Sequence, residues 1–183
     1  MRRNICGPTM PNADSLSVSA FDTPLGAARI VYDGAGAVRA FGWEGGDNWL
    51  CRFGTSEVAA GEDPFGLAAR MRAYFDGDVH VIDRIRVHFA GTAFQNTVWQ
   101  ALRTIPAGES LSYGGLAKKL GAPKAMRAVG LANGANPIGV IVPCHRVIGA
   151  DGSLTGYGGG IERKKWLLAH EARYAGTGLF GSV

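Results

Sequence analysis

The sequence predicts an α/β protein of the α+β kind: a small antiparallel-sheet domain, then a mostly helical one. Three observations carry this. Residues 16–41 alternate apolar and polar side chains between turn-forming clusters, the period of half-buried strands. Residues 94–134 space their apolar side chains at helical intervals, interrupted by Pro and Gly. Charge also divides the chain, with 9 Lys+Arg against 11 Asp+Glu in residues 1–89 and 10 against 4 in residues 90–183. At 183 residues the chain can build one sizeable core or two small ones. The expected division is a loose tail over 1–14, a domain over 15–89, a second over 90–174 and a short tail over 175–183.

In the first half, Leu16–Phe21, Ala28–Tyr32 and Ala37–Phe41 are expected strands, joined by turns at Asp22-Thr23-Pro24-Leu25-Gly26 and Asp33-Gly34-Ala35-Gly36. Pro64 opens a helix through Phe75, with Leu67, Met71 and Phe75 on one face and Gly77 ending it. Val79–Phe89 is expected to be extended. No candidate chemistry is legible in these residues.

In the second half, Phe94–Thr104 is an amphipathic helix with Phe94, Val98, Leu102 and Ile105 inward, broken at Pro106-Ala107-Gly108. Ser112 is a good N-cap for a helix over Tyr113–Leu120, Gly121 closes it, and Pro123 starts the next, Lys124–Asn133. Two short helices about a tight Gly-containing turn form a helix-turn-helix. The second helix, rich in Ala and Gly with a single Arg, lacks the long polar side chains that read bases in the major groove. It suits close, sequence-tolerant contact with a narrow groove, or tight packing in the core. The basic charge of this half points to a polyanion, with an ordinary solvated face as the alternative.

The apolar run Ile138–Val142 is expected to be a buried strand delivering Cys144 and His145 to a pocket. Asn136 before Pro137 makes a stiff corner ahead of it. A thiol reacts as its thiolate and needs a base or a positive field nearby. His145 is the candidate base, yet neighbours on a strand point to opposite sides, so contact requires a bend after Cys144 or a bridging water. A carboxylate holds such a histidine in one tautomer best; Glu171 is the first choice and Glu162 the alternative. A loop over Gly149–Gly160 lacks the Lys and Ser/Thr of a P-loop, which argues against a nucleotide cradle. Ile161–Tyr174 is a final helix. The set Cys144, His145, Glu171 points to nucleophilic catalysis without naming the electrophile, and an inert core thiol is the alternative.

The second half resembles the O6-alkylguanine-DNA alkyltransferase family. The matching pieces run through Val98-Trp99-Gln100, Ile105-Pro106, Ser112-Tyr113, Arg127-Ala128-Val129-Gly130, Asn136-Pro137, Pro143-Cys144-His145-Arg146-Val147 and Gly156-Tyr157, to Leu167-Leu168 and Glu171. The first half resembles the family's N-terminal domain more weakly, through Thr23-Pro24-Leu25-Gly26. The resemblance implies a single-turnover repair protein that binds duplex DNA in the minor groove, largely independent of sequence, and flips O6-alkylguanine, or O4-alkylthymine, out of the stack. It implies that Arg127 fills the gap as a finger, that Ala128, Gly130 and Lys124 lie at the DNA, and that Tyr113 contacts a phosphate and protonates the leaving base. It further implies attack by Cys144 on the alkyl carbon, a water linking Cys144 to His145, orientation of His145 by Glu171, and support from Asn136. Val147, Tyr157, Gly158 and Lys164 would border the base pocket. Gly158 stands where some relatives have Ser, and Gly139 where some have Pro.

No cofactor is expected, and no metal, since Cys6, Cys51, His80 and His88 lack the close pairing of zinc ligands. Three cysteines are an odd, sparse set that fits a reducing cytoplasm. The basic start lacks the apolar segment of a secretory signal, and no stretch approaches the ~20 apolar residues of a membrane helix. A monomer is expected. A damage-binding module that does not transfer the alkyl group, and a cysteine hydrolase, are the competing functions. The presence of Cys144 weighs against the first, and the helix-turn-helix against the second.

Overall fold

Alternation over residues 17–43 folds as expected into an antiparallel meander. A computed structural model describes residues 16–43, 56–57 and 62–176. The expected tail at 1–14 and most of that at 175–183 lie outside the described residues, as do Cys6 and Cys51. Strands β1 (Ser17–Thr23), β2 (Gly26–Tyr32) and β3 (Val38–Trp43) pair in sequence order, and a two-residue strand β4 (Ser56–Glu57) runs parallel to β1 at the sheet edge. The β1–β2 register runs from Ser17 opposite Tyr32 to Thr23 opposite Gly26. The turn there is tied by Thr23, whose hydroxyl accepts from Leu25 N (3.1 Å) and donates to Gly26 O (2.7 Å). In the second turn Asp33 accepts from the amides of Ala35 and Ala37 and pairs with Arg39 at 2.9 Å.

Helix α1 (Leu67–Phe75) covers the sheet. It starts later than Pro64, because the Asp63 carboxylate takes the amides of Leu67 and Ala69 and fixes the first turn there. Leu67, Met71 and Phe75 face inward as expected, and Tyr74 is buried beside them. The stretch 79–89 is not a strand. Residues Val81–Arg84 form a 3-10 turn, and Val87 alone bridges to Val38. Arg103 donates to the carbonyls of Asp83 and Ile85, closing that turn with a side chain instead of a ladder.

Helix α2 (Ala93–Leu102) begins with a capping box between Thr92 and Gln95 and buries Val98, Trp99 and Leu102. Phe94, expected inward, is 38% exposed, since it lies in the first turn before the helix meets the core. The indole of Trp99 donates to Ala132 O at 2.8 Å and ties α2 to α4 (Met126–Gly134). Between them, β5 (Leu111–Ser112) pairs in parallel with β6 (Val147–Ile148), and α3 (Tyr113–Lys119) starts at the Ser112 cap. Gly121, with φ +69°, turns the chain in a left-handed conformation that favours glycine. Pro123–Ala125 then make a 3-10 turn into α4.

Only Val129, Ala132 and Asn133 of α4 are buried; Lys124, just before it, and Arg127, Ala128 and Leu131 are exposed. The helix is therefore not packed into the core on all sides and keeps an open face. Helix α5 (Ile161–Tyr174) closes the fold. One buried apolar cluster contains Ile30, Phe41, Met71 and Tyr74 from the first half and Trp99, Leu116, Val140 and Leu167 from the second.

Candidate active site

Ile138–Val142 is not the strand expected from its apolar run. Ile138 bridges to Phe41, and the chain then turns: Val142 N donates to Ile138 O (3.0 Å) and Val140 takes φ +63°. A left-handed valine costs about 1–2 kcal/mol, and Asn136 holds the turn against that cost. Its side chain donates to Val142 O at 2.8 Å and accepts from Ile138 N at 3.0 Å. Apolar residues without alternation suit a buried turn as well as a buried strand, and Asn136 decides between them by satisfying backbone groups that a ladder would otherwise satisfy.

The turn feeds a 3-10 segment, Cys144–Arg146, which supplies the bend after Cys144. Cys144 is 6% exposed and His145 is fully buried. The His145 Nε2 lies 3.0 Å from Glu171 Oε1. Glu171 is the chosen acid, while Glu162 stands exposed at the start of α5. Glu171 also accepts from Arg146 Nε at 2.8 Å, Arg146 Nη2 at 2.8 Å and Tyr74 Oη at 2.7 Å, with Gly108 N more distant at 3.5 Å. The Arg146 fork is bidentate, the strongest form of such a pair.

Burial by itself would raise the Glu171 carboxyl. The charge and hydrogen bond of His145, and those of Arg146, override it and hold the acid well below the usual carboxylate range. Burial lowers His145, which is therefore neutral near pH 7 despite the opposing pull of Glu171. An ionised carboxylate only accepts, so the His145 proton sits on Nε2 and Nδ1 carries the lone pair. That Nδ1 is buried with no partner among the described protein atoms. Burial raises the Cys144 thiol; the Asn136 amide, the Lys164 charge and the backbone amides of Cys144 and His145 pull the other way.

Lys164 is fully buried and donates to Val147 O at 2.6 Å and Thr155 O at 2.8 Å, tying the glycine-rich loop to β6. Burial lowers its own basicity. The ring of Tyr157 stands edge-on to His145, centroids 6.4 Å apart, and its hydroxyl is buried without a described partner. Around Gly158 there is open space. Tyr113, at the start of α3, lies over Gly130 of α4, where an added Cβ would come within 3.7 Å of its ring. The structure thus gathers Cys144, His145, Glu171, Asn136, Lys164, Val147 and Tyr157 at one place. Lys124, Arg127 and Ala128 lie apart from them, on the open surface at α4.

Three residues with a part in this site are absent from the sequence expectations. Arg146 sits inside the Cys-His-Arg run, and a cation among apolar neighbours signals a buried carboxylate partner. Tyr74 comes from the half in which no candidate chemistry was legible, and it supports the site by donating to Glu171; its only signal was a place three residues from Met71 on the buried face of α1. Asn133, at the end of α4, donates to Cys144 O at 3.4 Å and had no signal beyond its position. Among the described residues, no cluster of three or more His, Cys, Asp or Glu is arranged to hold a metal, and no helix is long and apolar enough to cross a membrane.

The sequence profile described as 6-O-methylguanine DNA methyltransferase, DNA binding domain, matches residues 93–173. A methylated-DNA--protein-cysteine methyltransferase of Salmonella typhimurium is 48% identical over 156 residues, 81% of this chain and 91% of the relative. The crystal structure of Mycobacterium tuberculosis O6-methylguanine methyltransferase matches with a TM-score of 0.76 at 42% identity, covering 87% of this chain and 94% of that one. The structure of the Mycobacterium tuberculosis OGT in complex with DNA matches at 0.74 and 41%, with the same coverage. The likeness extends through both halves of the chain and is not confined to the residues around the cysteine, so this protein is a member of the methylated-DNA–protein-cysteine methyltransferase family.

Proposed function

We propose that this protein repairs alkylated DNA by moving the alkyl group from O6 of guanine, or O4 of thymine, to its own Cys144. The observation that carries the reading is Cys144 on a 3-10 turn, next to a neutral histidine whose tautomer is set by a buried carboxylate. His145 Nδ1, acting through a water, takes the thiol proton. The sulfur attacks the alkyl carbon as the carbon–oxygen bond breaks, and the departing base receives a proton from the Tyr113 hydroxyl. The thioether is stable, so each molecule reacts once. Asn136 and Lys164 favour the thiolate, consistent with the opposing effects on Cys144.

Chemistry on a base demands its removal from the stack, at a cost of a few kcal/mol. The exposed face of α4 supports a minor-groove approach: Ala128 allows close contact, half-buried Gly130 lets the Tyr113 ring lie close to the helix, Lys124 meets phosphate, and Arg127 fills the space left by the flipped base. Tyr113 steadies the phosphate beside the lesion. Val147, Tyr157, Gly158 and Lys164 border the pocket that receives the base. Residues 15–89 form the supporting domain and 90–174 the domain that binds DNA and reacts, in a cytoplasmic monomer reading no particular sequence.

The test is the intact mass after mixing with duplex DNA containing O6-methylguanine. A stoichiometric gain of one methyl group, located on Cys144 and abolished in Cys144→Ala while that variant still binds DNA, is expected. Tight DNA binding with no mass gain would instead assign a damage-recognition role.

A further inference from the structure

Two adjacent residues of α5 hold the glycine-rich loop on either side of Tyr157. Lys164 takes the Thr155 carbonyl, and Arg163 Nη1 donates to Gly159 O at 2.9 Å. Arg163 reaches in the other direction too. Its Nε donates to Leu25 O at 3.1 Å, in the β1–β2 turn, and its guanidinium lies 5.0 Å over the ring of Trp43 on β3. The Trp43 indole donates to the Thr23 hydroxyl at 3.1 Å, the same hydroxyl that shapes the turn. Gly159 is wedged between the two halves: an added Cβ would stand 2.7 Å from Tyr157 and 3.0 Å from Trp43.

From this we infer that Arg163 is a positioning residue through which the N-terminal turn and Trp43 set the place of Tyr157 in the base pocket. The inference rests on the proposed role of the loop in holding the base. Physically, a loop containing Gly156, Gly158, Gly159 and Gly160 loses much conformational freedom on ordering. Its ordered state therefore depends on anchors outside itself. Arg163 links one such anchor to Thr23-Pro24-Leu25-Gly26, a motif of the first half that the chemistry of the site leaves otherwise unexplained.

The experiment compares the wild type with Arg163→Met, Trp43→Leu and the double variant. It reads amide hydrogen exchange of residues 149–160, affinity for undamaged duplex, and transfer from free O6-methylguanine base at increasing concentration. Arg163→Met is expected to speed exchange over 155–160 and to raise the half-saturating concentration of the base about tenfold, the scale of one charge-assisted hydrogen bond. The saturated rate and duplex affinity should hold. Trp43→Leu should act in the same direction, the double variant should add little, and Arg163→Lys should recover part of the loss. Unchanged exchange in the loop overturns the brace. So does faster exchange with no change in half-saturation, or a loss confined to the saturated rate. Absence of transfer in the wild type would defeat the functional reading instead, and the exchange arm would still decide the brace.

Discussion

Replacing Glu171 by glutamine preserves shape and removes one charge, which tests the centre of the site. The carboxylate accepts from Tyr74 Oη, His145 Nε2 and Arg146 Nη2 on one oxygen and from Arg146 Nε on the other. An amide has one oxygen to offer. If it takes the place of Oε1, its NH2 group opposes Arg146 Nε–H. If it is turned over, the NH2 opposes the other three groups. His145 can then relieve the conflict by moving its proton to Nδ1, which destroys the base. Breaking one side of a buried ion pair costs about 3–5 kcal/mol, a large share of the ~5–15 kcal/mol that holds a domain together. Loss of a general base costs about 10²–10⁴ in rate.

The assay is equilibrium urea unfolding together with single-turnover transfer to Cys144. A stability loss below about 1 kcal/mol, the range of a surface pair, combined with an unchanged rate, would refute the reasoning. Tyr74→Phe supplies the graded form should Glu171→Gln not fold. It removes one donor from Oε1 and is expected to cost about 1–2 kcal/mol. Acid gives the same information with a defined sign. The folded-state carboxyl lies well below its ordinary 4.5, so its contribution is complete above that value and is lost as pH falls through the folded one. The wild type should lose stability on acidification below about pH 4.5, and Glu171→Gln should lack that portion.

Asn136→Ala is expected to destabilise by about 1–3 kcal/mol, since Val142 O and Ile138 N lose their partner. It should also slow transfer, because the Cys144 thiol rises further; equal rates at matched folded fraction would contradict this. Burial holds the thiol above its ordinary 9.0, so the transfer rate should climb with pH from neutral into the alkaline range. A single-turnover profile already flat by about pH 6 would rule that out. Arg127→Ala should reduce repair of duplex far more than reaction with the free modified base, measured side by side, and equal losses would remove the finger role.

The local rules of the chain made much of this protein legible. Strand alternation, the Ser112 cap and the Pro and Gly boundaries lie within a few residues of the groups they act on, so the meander and the helix-turn-helix follow from sequence directly. The run around Cys144 also pointed to nucleophilic catalysis, because it sets a thiol beside a potential base at the end of an apolar stretch, but it did not name the electrophile. What stayed hidden was a side chain taking over backbone groups close by, and contacts between residues distant in the chain. The run before Cys144 is a turn because Asn136 satisfies its backbone, and no apolar pattern distinguishes that from a strand. Chain position already favours Glu171 over Glu162, which falls at the exposed start of the same helix, but the partners of Glu171, Arg146 and Tyr74, the latter 97 residues away, meet it only in the folded chain. Arg163 joins Leu25 to Gly159 in the same manner. Sequence by itself determined which groups could react. Tertiary packing decided which of them are ionised, since desolvation and ion pairing depend on neighbours that only the folded chain brings together.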